Sequence, residues 1–132
     1  MPGYSGTPLV AKLGIRPGDR IAILAGPAGF ELELPDGATT TSRLPSHADV
    51  VLFFTTERAR LERWIDRLGR ATFPASIIWI AWPKKAAKLR PDMTEDVVRE
   101  VALPLGLVDT KVCAIDDVWS GLKLVWRKDR RT

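Results

Sequence analysis

The stretch Ile77–Lys85, which reads Ile-Ile-Trp-Ile-Ala-Trp-Pro-Lys-Lys, constrains this chain more than any other. An apolar run this short, and this rich in β-branched and aromatic side chains, suits a strand buried on both faces. Such strands sit in the middle of sheets that carry helices on both sides, so the run points to an α/β fold. Pro83 has no N–H to give to a sheet ladder and is expected to stop the strand, which leaves Lys84 and Lys85 at its carboxyl end. Open α/β sheets bind ligands along that edge, so the rim is where a site is expected.

The remaining segments can be laid around this strand. Residues 1–7, rich in Gly, Pro and Ser, read as an extended arm. Thr7 and Pro8 open a short helix to Leu13, and Gly14 ends it. Arg20–Ala25 is the first core strand, followed by the loop Gly26-Pro27-Ala28-Gly29. Phe30–Leu34 reads as a helical turn, Ala38–Ser42 as a weak peripheral strand and Val50–Phe54 as a second buried strand. Thr56 is placed to cap a helix over Glu57–Ala71, whose Leu61, Trp64, Ile65 and Leu68 recur at i, i+3, i+4 and i+7 on one apolar stripe. Gly69 is expected to weaken the end of that helix. The central strand spans Ser76–Trp82, and a basic loop runs on to Pro91. Asp92 or Thr94 then caps a helix to about Leu103, with Val97, Val98, Val101 and Ala102 inward. Val108–Ile115 and Gly121–Arg127 are the last strands, and residues 128–132 form a basic tail. The link between those strands is too short for a parallel crossover, which takes about a dozen residues or more, so they must be antiparallel.

Strands alternating with helices imply a parallel sheet with right-handed crossovers, and the final hairpin makes it mixed. The expected architecture is a three-layer, Rossmann-like mixed sheet, mostly parallel, with a C-terminal antiparallel hairpin and helices on both faces. That order resembles a small, trimmed class I methyltransferase-type Rossmann fold, whose sheet also ends in an antiparallel hairpin. The resemblance implies a fold and not a chemistry. Such folds hold S-adenosylmethionine with a glycine-rich turn after the first strand, usually introduced by an acid, and with a second acid at the end of the next strand. Here the turn is Leu24-Ala25-Gly26-Pro27-Ala28-Gly29-Phe30, without an acid, and Pro27 removes a backbone donor. The next strand ends in Thr41-Ser42-Arg43. The turn is therefore read as structural, and no cofactor is expected.

Composition narrows the function classes. A chain of 132 residues is expected to be one domain over 1–132 with a core of its own. The formal charge of +4 is mild and uneven, with arginines crowded in Arg58–Arg70 and the last six residues. One cysteine excludes an intramolecular disulfide and fits a reducing cytosol. The start shows no charged region followed by an apolar run, so no signal peptide is expected. No stretch has the length of a membrane span, and the expected location is cytoplasmic, without a membrane partner.

At the rim, Lys84 and Lys85 could hold a phosphate or carboxylate as point charges, or be a solvated lysine pair. Asp116, Asp117, Trp119 and Ser120 belong at the same edge. The aspartates could do acid–base work or simply form the turn, and Trp119 could plug the sheet end or stack on a ring. Trp79 and Trp82 fall on opposite faces of their strand and read as core. Arg60, Arg63, Arg67 and Arg70 lie opposite the apolar stripe of their helix and could meet nucleic acid. Glu57, Glu62 and Asp66 flank them without an interleaved aromatic, so a solvated, partly neutralised face is the expectation. His47, the single histidine, and Cys113 build no catalytic set or metal cluster; no catalytic or metal-binding residue is assigned.

Several stretches carry a further resemblance. They are Gly3–Leu9 running on through Lys12–Ile15; Pro17–Arg20; Ala81–Lys85; Thr94–Arg99; and Gly106–Asp109, continued by Lys111–Asp116 and Trp119–Lys123. Together they resemble a family of small bacterial proteins, common in actinobacteria, that is classed only as a domain of unknown function. The resemblance implies a single cytosolic domain and carries no established activity or ligand. Tyr4, Ser5, Lys84, Lys85, Asp116, Asp117, Trp119 and Ser120 are the binding candidates. The eroded glycine turn and the absence of any nucleophile–base set favour a non-catalytic binding or regulatory module, whose rim would contact a protein partner or a small anion. An enzyme acting on a small anionic substrate at the rim is the alternative, and weak nucleic-acid binding is a second.

Overall fold

Two-sided burial decides where each segment goes. The structure is a computed structural model that describes residues 8–84 and 92–131. Its elements run α1 (Leu9–Leu13), β1 (Arg20–Leu24), β2 (Thr39–Thr41), β3 (Val50–Phe54), α2 (Arg58–Thr72), β4 (Ile77–Pro83), α3 (Glu95–Ala102), β5 (Leu107–Ala114) and β6 (Trp119–Trp126). Among the described residues the strands form one six-stranded sheet ordered β2-β1-β3-β4-β6-β5. Strands β1 to β4 pair in parallel, and β6 runs antiparallel to both β4 and β5. This is the mixed, Rossmann-like α/β sheet expected from the sequence.

The most apolar strands lie at the centre. All five residues of β3 are buried, as are Ile78 to Pro83 of β4. Pro83 is the last residue of β4, opposite Trp119. Side chains alternate across a strand, so Trp79 and Trp82 enter different cores. Trp79 packs with Leu13, Ile21, Leu52 and Phe54 under α1. Trp82 packs with Leu61, Leu68 and Val98 under α2 and α3.

Two connections lack the helices that usually cover such sheets. Residues 25–38, between β1 and β2, place Phe30, Leu32 and Ala38 on the α1 face. The helical turn expected at Phe30–Leu34 does not form. Phe30 and Leu32 meet the core with a spacing of two, the period of extended chain, and Pro35 biases Leu34 away from helix. Residues 42–49 cross from β2 to β3, and Leu44 joins the core on the α2 face. Beside α2, the layer over β1 is therefore a bare connector.

The helix ends show where local reading of the sequence fails. Gly14 closes α1 in the left-handed conformation, φ 81°, as expected of a glycine stop. The cap expected from Thr7 lies outside the described residues. Thr56 does not cap α2. Instead the Thr55 hydroxyl accepts from Glu57 N at 3.0 Å, and the Asp92 carboxylate accepts from Arg58 N at 2.6 Å. Thr94 caps α3 by accepting from Val97 N. Asp92 thus serves the earlier helix, 34 residues away, and leaves the following one to Thr94. Asp92→Ala is expected to lower stability by about 0.5–2 kcal/mol, measured by urea denaturation. An unchanged midpoint would show that water replaces this cap at no cost.

Gly69 has a packing reason that helix propensity does not show. It lies buried within α2, where an added Cβ would come within 3.0 Å of the Trp126 ring and 3.1 Å of Leu105. Its carbonyl accepts from Trp126 Nε1 at 2.9 Å. Close packing of β6 on the helix requires a residue without a side chain there.

Candidate functional site

The carboxyl rim is assembled by the turn between β5 and β6. Asp116 Oδ1 accepts from Val118 N and from Trp119 N, each at 2.8 Å. Trp119 O accepts from Ile115 N at 2.8 Å and from Asp116 N at 3.3 Å. The Asp116 carboxylate is therefore the keystone of an Asx-type turn. Lys84 joins it from β4, donating Nζ to Asp116 O at 2.6 Å and its backbone N–H to Val118 O at 2.7 Å. The ammonium meets a carbonyl and not a carboxylate.

Trp119 is half-buried and stands edge-on to Phe54, with ring centroids 5.0 Å apart. Phe54 in turn meets Phe30 at 5.1 Å. These rings fill the space above β3. Ser120 is half-buried in β6 between Trp82 and Ala114, and Asp117 is exposed. The structure thus brings Lys84, Asp116 and Trp119 into one connected corner. Tyr4, Ser5 and Lys85 lie outside the described residues.

A second feature lies on the α2 face, where the bare connector leaves room. A groove of about 600 Å³ opens between residues 42–46 and α2. Arg43, Arg67 and Arg70 line it together with Trp64, Ser42 and Ser46. Its apolar wall includes Leu24, Leu44 and Ala71. The Arg67 guanidinium lies 3.9 Å from the centroid of the Trp64 ring. Arg60 is turned elsewhere: it covers Phe53 at 4.5 Å and donates to Phe54 O at 2.5 Å. Burial pulls the Arg60 guanidinium below its usual pKa.

The groove refines one sequence expectation and corrects another. The flanking acids form no ion pair with its arginines, although Glu57 acts electrostatically on Arg60. Glu62 pairs with Arg58 at 3.2 Å, one turn back, and Asp66, although one turn before Arg70, forms no ion pair with it. Among the described residues, no carboxylate comes within ion-pair distance of Arg43, Arg67 or Arg70. An aromatic is also interleaved, because Trp64 sits at the margin of the apolar stripe and is only half-buried. Arg43 was not singled out by the sequence; it belongs to a connector without a motif, and only the crossover over β1 brings it to α2.

The remaining chemistry-bearing residues stand apart. His47 Nε2 lies 3.3 Å from Ser76 Oγ. Cys113 is half-buried, and burial pushes its thiol pKa up. Among the described residues, no group of three His, Cys, Asp or Glu could hold a metal ion. No helix among them is long and apolar enough to cross a membrane.

Solved structures share this fold. A SAM-dependent methyltransferase from Aquifex aeolicus superposes with a TM-score of 0.68 at 14% identity, over 88% of this chain and 86% of that one. Magnesium protoporphyrin IX methyltransferase from Synechocystis PCC 6803, with bound SAM, gives 0.57 at 13% identity over 90% and 74%. The PH0226 protein from Pyrococcus horikoshii OT3 gives 0.55 at 12% identity over 90% and 86%. No family model and no curated protein matches the sequence. The chain therefore has a methyltransferase-like Rossmann fold, and at these identities the likeness is one of fold alone.

The turn after β1 does not fit S-adenosylmethionine. It offers no carboxylate, its Pro27 lacks an N–H, and Phe30 N is spent on Pro27 O at 3.0 Å. No helix N-terminus follows it, and β2 ends without an acid.

Proposed function

We propose that the chain is a non-catalytic binding or regulatory module of the cytosol, built on a methyltransferase-like scaffold. The observation that supports this reading best is the segment after β1. Where a cofactor turn would open into a helix, residues 25–38 form an irregular connector with turns at 28–29 and 36–37, and Phe30 packs against Phe54. The rim beside Lys84 and Asp117 is the proposed contact surface for a protein partner or a small anion, framed by Asp116, Trp119 and Ser120. Tyr4, Ser5 and Lys85 are its further candidates, and the sequence resemblance supports placing the chain in the actinobacterial family of small proteins.

Isothermal titration with S-adenosylmethionine and S-adenosylhomocysteine tests this reading. The expected result is no saturable heat and no shift of the melting midpoint. A ligand present at about a hundred times its Kd would add about 2.7 kcal/mol, several degrees for a domain of this size, so a working cofactor site could not be overlooked. One-to-one binding of either compound would overturn the proposal.

A further inference from the structure

We propose that the groove beside α2 is an anion site for a small polyphosphorylated ligand, one that carries two or more phosphate groups on an apolar or planar body. This goes beyond the reading proposed for the rim, because it places a second binding site on the α2 face. The groove's cations come from two separate segments, Arg43 from the β2–β3 connector and Arg67 and Arg70 from α2. Arg58 and Arg99 have carboxylate partners, whereas these three have none among the described residues. No acidic residue lines the groove. Unpaired like charges in one concavity repel one another and focus a positive field, and an anion relieves both effects. Guanidinium forks match phosphate oxygens two at a time, and the Ser42 and Ser46 hydroxyls supply further donors.

Charge sets the number of phosphates. A single phosphate carries about −1.5 to −2 at neutral pH and would leave three arginines under-neutralised, whereas two or more balance them. The Trp64 ring holds Arg67 in place before any ligand arrives, so less side-chain freedom is lost on binding. The apolar wall of Leu24, Leu44 and Ala71 suits the body of the ligand. The volume of about 600 Å³ also falls in the range of small-molecule sites.

A nucleic-acid strand fits less well. Arg60 is spent on Phe53 and Phe54 O, so it does not extend the track. Trp64 already carries Arg67 on its ring, which takes away a face that a base would stack on.

The test is titration of the full chain, without added metal, with inorganic tripolyphosphate, ATP, inorganic phosphate and single-stranded oligothymidylates of increasing length. We expect saturable one-to-one binding of tripolyphosphate and ATP, tighter than that of inorganic phosphate. Arg67→Ala and Arg43→Ala should each weaken it about tenfold or more, the scale of one lost charge-assisted hydrogen-bond pair. Arg63→Ala, on the same helix but not lining the groove, should leave it unchanged. Arg43 lies outside regular structure, so its variant remains informative if Arg67→Ala perturbs the helix. Absence of saturable polyphosphate binding, or equal weakening by Arg63→Ala, would overturn the proposal. So would oligothymidylate binding that is tighter and grows with length. S-adenosylmethionine binding that survives Arg43→Ala would sink the non-catalytic reading and leave the groove standing, so the two failures are distinguishable.

Discussion

Replacing Trp79 with alanine is expected to lower stability by about 3–5 kcal/mol, the scale of a fully buried aromatic removed from a core. A domain of this kind has about 5–15 kcal/mol in all, so the variant should stand at the edge of folding. Trp79 is fully buried between β3 and β6 and belongs to the core that holds Leu13, Ile21, Leu52 and Phe54. Its Nε1 donates to Leu13 O at 2.9 Å. That carbonyl is in the last turn of α1, where helices leave acceptors without intrahelical donors. Five residues cannot sustain a helix alone, so α1 depends on the sheet for its existence. Trp79→Phe separates the two roles: it keeps most of the apolar bulk but removes the donor, which should cost about 1–3 kcal/mol. Urea denaturation gives both losses, and hydrogen exchange at 9–13 shows whether α1 detaches before the sheet opens. A loss below about 1 kcal/mol in Trp79→Ala would mean that neighbouring side chains collapse into the space, contrary to this account.

The same strand shows how much of the molecule its sequence discloses. An apolar run buried on both faces has few places to go, so β4 could be read directly, and β3 for the same reason. The short link read at Asp116–Ser120 forced the last two strands to be antiparallel, and they are. Lys84 and Asp116 meet because both stand at strand ends on one rim, although the bond runs to a carbonyl, which no residue pattern specifies. What could not be read is what depends on direction or on distant partners. Asp92 caps a helix that lies before it in sequence. Glu62 and Asp66 are near the arginines of α2 in number, and Asp66 even stands one turn before Arg70, yet Glu62 pairs with Arg58 and no carboxylate among the described residues closes on Arg67 or Arg70 within ion-pair distance, which spacing alone does not disclose. The groove exists because two crossovers lack helices, and the identity of Arg43 as its third cation follows from a path over β1 that propensities do not fix.

Gly121→Val should be destabilising by about 1–3 kcal/mol, although strand propensity alone would favour valine by as much as about 1 kcal/mol. The backbone at Gly121 is that of an ordinary strand, paired with Ala81 of β4 and Cys113 of β5. The objection to a side chain is space. A Cβ there would sit 2.9 Å from Ile115 Cδ1 and 3.1 Å from Trp79 Cε3. The end of Ile115 can swing aside at small cost. The indole cannot, because moving it breaks the bond to Leu13 O and disturbs the packing under α1. Overpacking against the pinned ring therefore outweighs the gain in propensity. Ile115→Val removes the Cδ1 methyl and opens part of the space, so Gly121→Val should cost less in that background than in the parent chain. A double-mutant cycle by urea denaturation measures the difference, expected at about 0.5 kcal/mol or more for residues in contact. If the cycle closes with no coupling, and Gly121→Val by itself costs nothing, then the ring is free to move. The view of Trp79 as the fixed post on which α1 and β6 both rest would then be wrong.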